Sequence, residues 1–262
     1  MKILHESDMG RVRIIPVLLL DRGGLYKTVR FDKPTYVGDP INTVKIFNDK
    51  EADELVVLDF RATLEQRRPD FDKITEIAGE AFMPMAYGGG IRSLEDARRV
   101  FDCGYEKVVL NSVLYDDLSL AESIASIYGA QSVVASIDVR KNWLGRTRCF
   151  ARSGTRDTGK SPEEWARELE QHGAGEIMLH SIRQDGTWEG YDLPLISSVS
   201  QAVGIPVIAC GGAASTEDFR KAVEAGASAA AAGSMFVYQK KGMGVLISFC
   251  TGFKLMKGSI SL

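Results

Sequence analysis

Short apolar runs alternate with amphipathic helical patterns along most of this chain. The runs do not alternate apolar with polar residues, so we interpret them as strands buried on both faces of a parallel sheet. Eight strand–helix units in a chain of 262 residues predict an α/β fold, a (β/α)8 TIM barrel, because such barrels typically take roughly 250 residues. The predicted strands are Arg13–Leu20, Glu54–Asp59, Pro84–Tyr87, Lys107–Asn111, Ser132–Asp138, Glu176–His180, Ile205–Cys210 and Ala227–Ala232.

Polar residues that can cap a helix stand before several of the helical patterns. Asp39 precedes Pro40, which suits an N-cap followed by the first helical position. Ser215 comes three residues before Asp218, in the arrangement of a capping box. The predicted helices are 40 to about 51, Phe71–Ala81, Ser93–Cys103, Asp117–Tyr128, Pro162–His172, Leu193–Val203 and one that begins at Ser215 and ends at Gly226.

One stretch of the chain occurs twice. Pro84–Ser112 aligns with Pro206–Ser234 without a gap, at an offset of 122 residues. A repeat of this length indicates two similar halves, about 10–129 and 130–238, within a single barrel domain of residues 1–262. Glycines break the pattern after Phe236, so we expect a shortened or irregular eighth helix and a loose tail over 239–262.

Both copies of the repeat follow a strand with two glycines and the N-terminus of a helix. Free backbone N–H groups and the positive end of a helix dipole then meet at one point, which suits a phosphate group. We predict one phosphate cradle in each half and a phosphorylated small-molecule ligand. Asp185 either contributes to such a site or makes a turn. The predicted phosphate-binding residues are Gly89, Gly90, Asn111, Ser112, Asp185, Gly186, Gly211, Gly212, Gly233 and Ser234.

Composition excludes some classes of partner. The net charge of −3 predicts no general attraction to nucleic acid or to an anionic membrane. The apolar run Ile14–Leu20 is too short to span a membrane. Four scattered cysteines without a CxxC pair indicate neither zinc nor a disulfide framework and fit a reducing cytoplasm. We predict no metal and no cofactor.

Ionisable residues at the carboxyl ends of the strands should face the active site of a barrel. Asp138 ends the fifth predicted strand and is a candidate general acid or base, because partial burial raises the pKa of a carboxyl group. A lone His180 is more often structural, and Cys210 is interpreted as packing. The polar stretch Asn142–Gly159 is interpreted as a long insertion that forms a small hairpin, and it is either a lid or a solvated surface loop.

Four charged residues stand at the starts of strands, on the opposite face of the barrel. They would form a ring across the barrel floor. Ordinary salt bridging at a solvent-facing surface also explains such a ring, and the residues alone favour that explanation. The four are Arg13, Glu54, Lys107 and Glu176.

From Arg13 to about Val237 the chain resembles the cyclase subunit of imidazole glycerol phosphate synthase. The resemblance implies two phosphate sites and a glutaminase subunit docked on the barrel floor as a heterodimer partner. Ammonia would pass through the barrel, and Arg13, Glu54, Lys107 and Glu176 match the charged gate of that family. The matching pieces include Gly38–Pro40, Asp53–Asp59, Tyr87–Ile91, Ser136–Asp138, Asp185–Asp192 and Ile208–Ala213.

The chain departs from that family at one catalytic position. The family uses two aspartates; Asp138 matches the second, whereas the first falls at Leu19, which cannot transfer a proton. Asp21 and Lys27 are candidates to assist, and Lys27 matches a loop lysine of the family. With leucine at this position, the chain resembles a branch of the family whose members supply ammonia to a separate sugar amidotransferase for surface polysaccharides. We expect that role for this chain. The alternatives are the complete cyclase-lyase of histidine biosynthesis and, less favoured, the related sugar isomerase.

Overall fold

The computed structural model describes residues 12–250. Each predicted strand is present, and its ends differ from the expected ones by at most three residues. In chain order the strands are β1 Arg13–Asp21, β2 Gly24–Val29, β3 Asp32–Gly38, β4 Leu55–Asp59, β5 Met85–Gly88, β6 Lys107–Leu110, β7 Val133–Lys141, β8 Thr147–Ala151, β9 Arg156–Asp157, β10 Glu176–Ser181, β11 Val207–Cys210 and β12 Ala229–Ala232.

Eight of these strands pair in parallel and close into a barrel in the order β1, β4, β5, β6, β7, β10, β11 and β12. The pairing of β12 with β1 closes the ring, with Arg13 opposite Ala229 and Pro16 opposite Ala232. Helices connect the strands on the outside, as right-handed parallel crossovers require. The predicted (β/α)8 barrel is confirmed.

The helices begin where the sequence places caps. The Asp39 carboxylate accepts from the N–H of Asn42 at 3.0 Å, and Ser215 and Asp218 form the expected capping box. The helices are α1 Pro40–Asp49, α2 Phe71–Ala78, α3 Leu94–Asp102, α4 Ser119–Tyr128, α5 Pro162–Gln171, α6 Leu193–Ser200, α7 Thr216–Glu224 and α8 Ser234–Val237.

The eighth helix is short, as the sequence predicts. α8 is a single turn, after which Tyr238 makes an isolated bridge with Val245 and the chain continues without regular structure to residue 250. The rest of the predicted tail, 251–262, lies outside the described residues. No helix within 12–250 is long and apolar enough to cross a membrane.

Two hairpins extend the barrel at its carboxyl-terminal end. β2 and β3 pair antiparallel and join β1 through β2. The strands predicted from the sequence do not include this hairpin: the chain turns through positive φ values at Arg30 and Phe31, where the sequence has no glycine to signal a turn. The second hairpin, β8–β9, joins β7 inside the polar insertion and confirms the expectation of a hairpin there.

Apolar side chains form two separate cores. One lies between the barrel and its helices and includes Phe47, Trp165 and Phe219. The other fills the inside of the barrel. Its members alternate along each strand with residues of the outer core, because successive side chains of a strand point to opposite faces. The inner core consists of Ile15, Val17, Val56, Ala86, Val109, Val134, Met178, Ile208, Cys210, Ala229 and Ala231, with Leu19 and Leu58 packed against it.

Candidate active site at the mouth of the barrel

Two neighbouring cavities, lined by described residues, open at the mouth of the barrel. The larger, of about 130 Å³, is lined mainly by the first half of the chain and reaches Asp138. The smaller, of about 30 Å³, is lined mainly by the second half and includes Lys27. Leu19 and His180 line both cavities and stand between them. Each half of the chain therefore lines one cavity at the mouth. The apolar Leu19 and the ionisable His180 lie at the boundary between the two cavities.

The first predicted cradle lies in the larger cavity. Gly89, Gly90, Asn111 and Ser112 all line it. The Oδ1 atom of Asn111 is buried and has no hydrogen-bond partner among the described residues. The Ser112 hydroxyl accepts from the N–H of Arg152 at 2.9 Å, which ties the β8–β9 hairpin to the cavity wall. An unsatisfied buried acceptor favours a ligand that can donate to it.

The second predicted cradle lies in the smaller cavity, which Asp185, Gly186, Gly211, Gly212, Gly233 and Ser234 all line. Gly212 has a φ of +108°, and a Cβ there would overlap the Gly190 carbonyl oxygen, so this position requires glycine. A Cβ on Gly233 would overlap the ammonium group of Lys27. Glycine at 233 thus lets the lysine approach the backbone of this cradle.

Lys27 enters the smaller cavity from the β2–β3 hairpin. Its side chain is buried, and Nζ donates to the Val17 carbonyl. Burial lowers the pKa of Lys27 to about 8, although Asp185 and Cys210 oppose that effect. A buried lysine that keeps its proton at neutral pH can hold an anion or give up a proton, so this placement suits both phosphate binding and the predicted catalytic role.

Asp185 fastens the β2–β3 hairpin over the mouth. Its carboxylate accepts from the hydroxyl of Thr28 at 2.8 Å and from the N–H of Phe31 at 3.3 Å. Its backbone carbonyl accepts from the N–H of Arg30 at 2.9 Å. The residue therefore does more than make a turn: it joins an insertion of the first half to the loop after β10. Gly186 beside it lies against the Thr28 carbonyl, where a Cβ would not fit.

Asp138, on β7, lines the larger cavity. The carboxyl group is buried, and burial raises its pKa to about 6, while His180 and a 3.4 Å hydrogen bond from Ser136 act in the opposite direction. A group with this pKa exchanges its proton near neutral pH, as general acid–base catalysis requires. The structure thus places the predicted catalytic residue in an environment suited to that chemistry.

Asp21 is not brought together with Asp138. The carboxylate of Asp21 lies 3.2 Å from Arg67 and 3.5 Å from Arg61, and it lines neither cavity. Alternation along β1 would place Asp21 on the same side as Leu19, but the strand ends here and the arginines of the loop after β4 draw the carboxylate away. The prediction that Asp21 assists at the active site therefore finds no support in this geometry.

His180, which the sequence presents as a lone histidine, has several close neighbours in the structure. Its Nε2 lies 3.4 Å from an oxygen of Asp185, and its ring packs edge-on against Phe31 with 4.7 Å between ring centroids. Across the sheet it is the register partner of both Asp138 and Cys210. Burial opposes the charged imidazole, but Cys210 and Asp185 outweigh it and hold the pKa of His180 above its ordinary value. Pairing between β10 and β11 is the signal that would have connected this histidine with Cys210.

Asp59 is a further buried carboxylate of the larger cavity that the sequence analysis did not assign. It accepts from Arg67 at 2.8 Å and from the N–H of Ala62 at 2.9 Å. Its position at the end of the second barrel strand could have indicated it. These bonds hold the loop after β4 in place, so the role of Asp59 is structural.

The four charged residues of the barrel floor form a continuous ring of ion pairs. Arg13 lies 2.5 Å from Glu54 and 2.6 Å from Glu176. Lys107 lies 3.0 Å from each of the same two glutamates. Each cation thus joins both carboxylates, and the ring closes the amino-terminal end of the barrel. Burial opposes the charge of Arg13, but the two glutamates outweigh it and raise its pKa.

The inner core of apolar residues separates this ring from the mouth. Ile15 on β1 and Met178 on β10 lie between the ring residues and the cavity residues of the same strands. This interior is unfavourable for an ion, because an unpaired charge loses its hydration there. A small neutral molecule is not subject to that cost. Within residues 12–250, no cluster of three or more His, Cys, Asp or Glu side chains is arranged to hold a metal ion.

The fold and the mouth define a (β/α)8-barrel protein with two glycine-lined cavities, one from each half of the chain. A family model described as histidine biosynthesis protein matches residues 13–242. The chain belongs to this family, in the branch whose members are named HisF, and the resemblance to the imidazole glycerol phosphate synthase cyclase family is confirmed.

Curated relatives match almost the whole chain. A Pseudomonas aeruginosa protein, provisionally named imidazole glycerol phosphate synthase subunit hisF2, is 50% identical over 242 residues, which cover 92% of this chain and 96% of the relative. The imidazole glycerol phosphate synthase subunit HisF of Alkaliphilus metalliredigens is 42% identical over 229 residues, covering 87% and 91%. The protein of the same name from Streptomyces coelicolor is 39% identical over 225 residues, covering 86% and 90%.

Proposed function

We propose that this chain is the cyclase subunit of an imidazole glycerol phosphate synthase in the cytoplasm. A glutaminase partner would bind at the barrel floor and supply ammonia, which reacts at the mouth. One observation carries the proposal: the closed ion-pair ring of Arg13, Glu54, Lys107 and Glu176 at one end of the axis faces Asp138 at the other, across an apolar interior. The names of the relatives support the same activity.

The ring and the interior suit ammonia rather than ammonium. An ammonium ion would have to leave water and enter a region without polar partners, at a cost of several kcal/mol or more. Neutral ammonia avoids that cost. The ring would act as a gate that Lys107 opens. When Lys107 moves away from the two glutamates, both carboxylates remain paired with Arg13. Ammonia would be released by the partner directly against this gate.

The two cavities suit a ligand with a phosphate group at each end. The first phosphate would bind at Gly89, Gly90, Asn111 and Ser112. The second would bind at Gly211, Gly212, Gly233, Ser234 and the loop of Asp185 and Gly186, with the Lys27 ammonium close by. The reacting atoms would then lie between the cavities. Such a ligand is the ribulosyl aminoimidazole carboxamide nucleotide, which ammonia converts to imidazole glycerol phosphate and aminoimidazole carboxamide ribonucleotide.

A second candidate function follows from Leu19. This side chain stands at the boundary of the two cavities and cannot transfer a proton. That observation favours a barrel that conducts ammonia to its mouth and passes it to a third protein. The acceptor protein would be a sugar amidotransferase of surface-polysaccharide synthesis. The ring and the apolar interior serve both functions equally.

Ammonium-driven turnover separates the two functions. The purified chain would be given the ribulosyl nucleotide and ammonium without a glutaminase, and the Leu19→Asp variant would be assayed beside it. A cyclase gives measurable product with the unmodified chain. If the unmodified chain gives none and Leu19→Asp gains activity, the second candidate stands and the cyclase proposal is wrong.

A further inference from the structure

The larger cavity contains three ionisable side chains among its described lining residues: Asp59, Asp138 and His180. Asp59 is held by Arg67 and by backbone N–H groups, so it is not free to exchange a proton with a ligand. Asp138 and His180 remain. They are register partners on the adjacent strands β7 and β10, so their side chains enter the mouth side by side.

His180 is built into the boundary between the cavities. Its imidazole is buried, and its Nε2 makes no well-aligned hydrogen bond within the described part of the chain; the carboxylate oxygen of Asp185 lies 3.4 Å away. Gly211 is packed so closely against the ring that a Cβ there would lie 3.0 Å from Cδ2 of His180. A buried ring nitrogen with only a long contact to a carboxylate is costly, unless a ligand uses it.

We propose that His180 is the acid of this site, paired with Asp138 as the base. The proposal rests on the proposed function, because it needs ammonia to react at the mouth. As ammonia attacks an electrophilic carbon, a C–N bond forms and the nitrogen loses a proton to the Asp138 carboxylate. The bond from that carbon to the displaced group breaks, and the displaced group receives a proton from the His180 imidazolium. Transfer of the proton from Asp138 to His180 through solvent restores both groups.

The charges around His180 support this role. Asp185 faces it from the loop after β10 at 3.4 Å, Cys210 faces it from β11, and Asp138 from β7. Lys27 enters the same smaller cavity from β2 and carries the opposing charge. Burial opposes the charged imidazole, but Cys210 and Asp185 outweigh it, so the pKa of His180 lies well above its ordinary value.

The charge state can be measured without any turnover. The chain has three histidines, so ¹⁵N-histidine spectra are simple, and His180→Gln assigns the signal of interest. We expect His180 to be an imidazolium at pH 7, whereas the more exposed His172, which pairs with Glu122, serves as the internal comparison. A neutral His180 at pH 7 would overturn the proposal.

Ammonium-driven turnover then tests the proton transfer. We expect His180→Gln to lower kcat about 10²- to 10⁴-fold, to abolish the alkaline limb of the pH profile and to change KM little. His172→Gln is the matched control and should leave both unchanged. His180→Asn repeats the test with a shorter amide, and both variants are checked for a wild-type thermal unfolding transition.

The outcomes separate this inference from the proposed function. Wild-type turnover together with an unaltered His180→Gln variant would remove the acid role of His180 and leave the cyclase standing. A wild type without turnover would remove the cyclase and the acid role together, whatever the charge of His180. Loss of rate with an intact alkaline limb would show a structural contribution and would also overturn the proposal.

Discussion

Replacing the buried Asp138 by asparagine should stabilise the protein while it removes activity. The fold raises the pKa of Asp138 from 3.8 to about 6. Between these values the folded protein keeps a proton that the unfolded chain has released, so the free energy of unfolding falls as the pH rises from about 4 to about 6. At roughly 1.4 kcal/mol per pKa unit, the full loss is about 3 kcal/mol above that range.

Asparagine has nearly the same shape and never ionises, so Asp138→Asn avoids this loss. We expect the variant to be more stable than wild type by about 3 kcal/mol at pH 8, by about half as much at pH 5 and by about 0.5 kcal/mol at pH 4. Urea unfolding at the three pH values measures the difference. Ammonium-driven turnover should fall by about 10²- to 10⁴-fold in the same variant.

The control is Asp116→Asn, because Asp116 is exposed and makes a 3.4 Å surface ion pair with Arg156. Its replacement should change stability by about 0–1 kcal/mol, with little dependence on pH. The reasoning would be refuted if Asp138→Asn were destabilised at pH 8, or if its advantage did not shrink as the pH is lowered.

Three further variants test the smaller cavity and its surroundings. Gly212→Ala should cost roughly 2 kcal/mol or more, because its Cβ meets backbone, whereas Gly145→Ala, also at positive φ but in open space, should cost only about 1 kcal/mol; thermal unfolding compares them. Lys27→Met should weaken binding of inorganic phosphate in calorimetry, and wild-type affinity should fall as the pH rises through about 8, where Lys27 loses its proton. Asp185→Ala should speed trypsin cleavage within the β2–β3 hairpin but not within β8–β9; equal cleavage of both would contradict the tie through Thr28.

The repeat in the sequence was the strongest guide to the fold and to the cavities. Mates in the repeat, such as Gly90 and Gly212, line different cavities at the same end of the barrel. This outcome follows from local patterns, because strand, glycine turn and helix cap are all read from short stretches. Because all eight barrel strands are parallel, their carboxyl ends and the glycines that follow them lie at the same end of the barrel.

The sequence was less informative where contacts join distant parts of the chain. The β2–β3 hairpin was missed because Pro34 and a turn without glycine conceal its strand character. Asp21 was placed in the site by alternation alone, but its partner Arg67 comes from another loop. His180 was interpreted as structural because its neighbour Cys210 becomes visible only when β10 and β11 are aligned.

The central claim is that a glutaminase partner releases ammonia at the barrel floor and that this ammonia reacts at the mouth. The most direct test compares glutamine-driven with ammonium-driven product formation by the chain in complex with its glutaminase, for wild type and for Lys107→Met. Removing Lys107 unbalances the ring but leaves the mouth unchanged. We predict that glutamine-driven formation falls while ammonium-driven formation stays at the wild-type level. Equal rates from both nitrogen sources in wild type and variant would contradict passage through the ring.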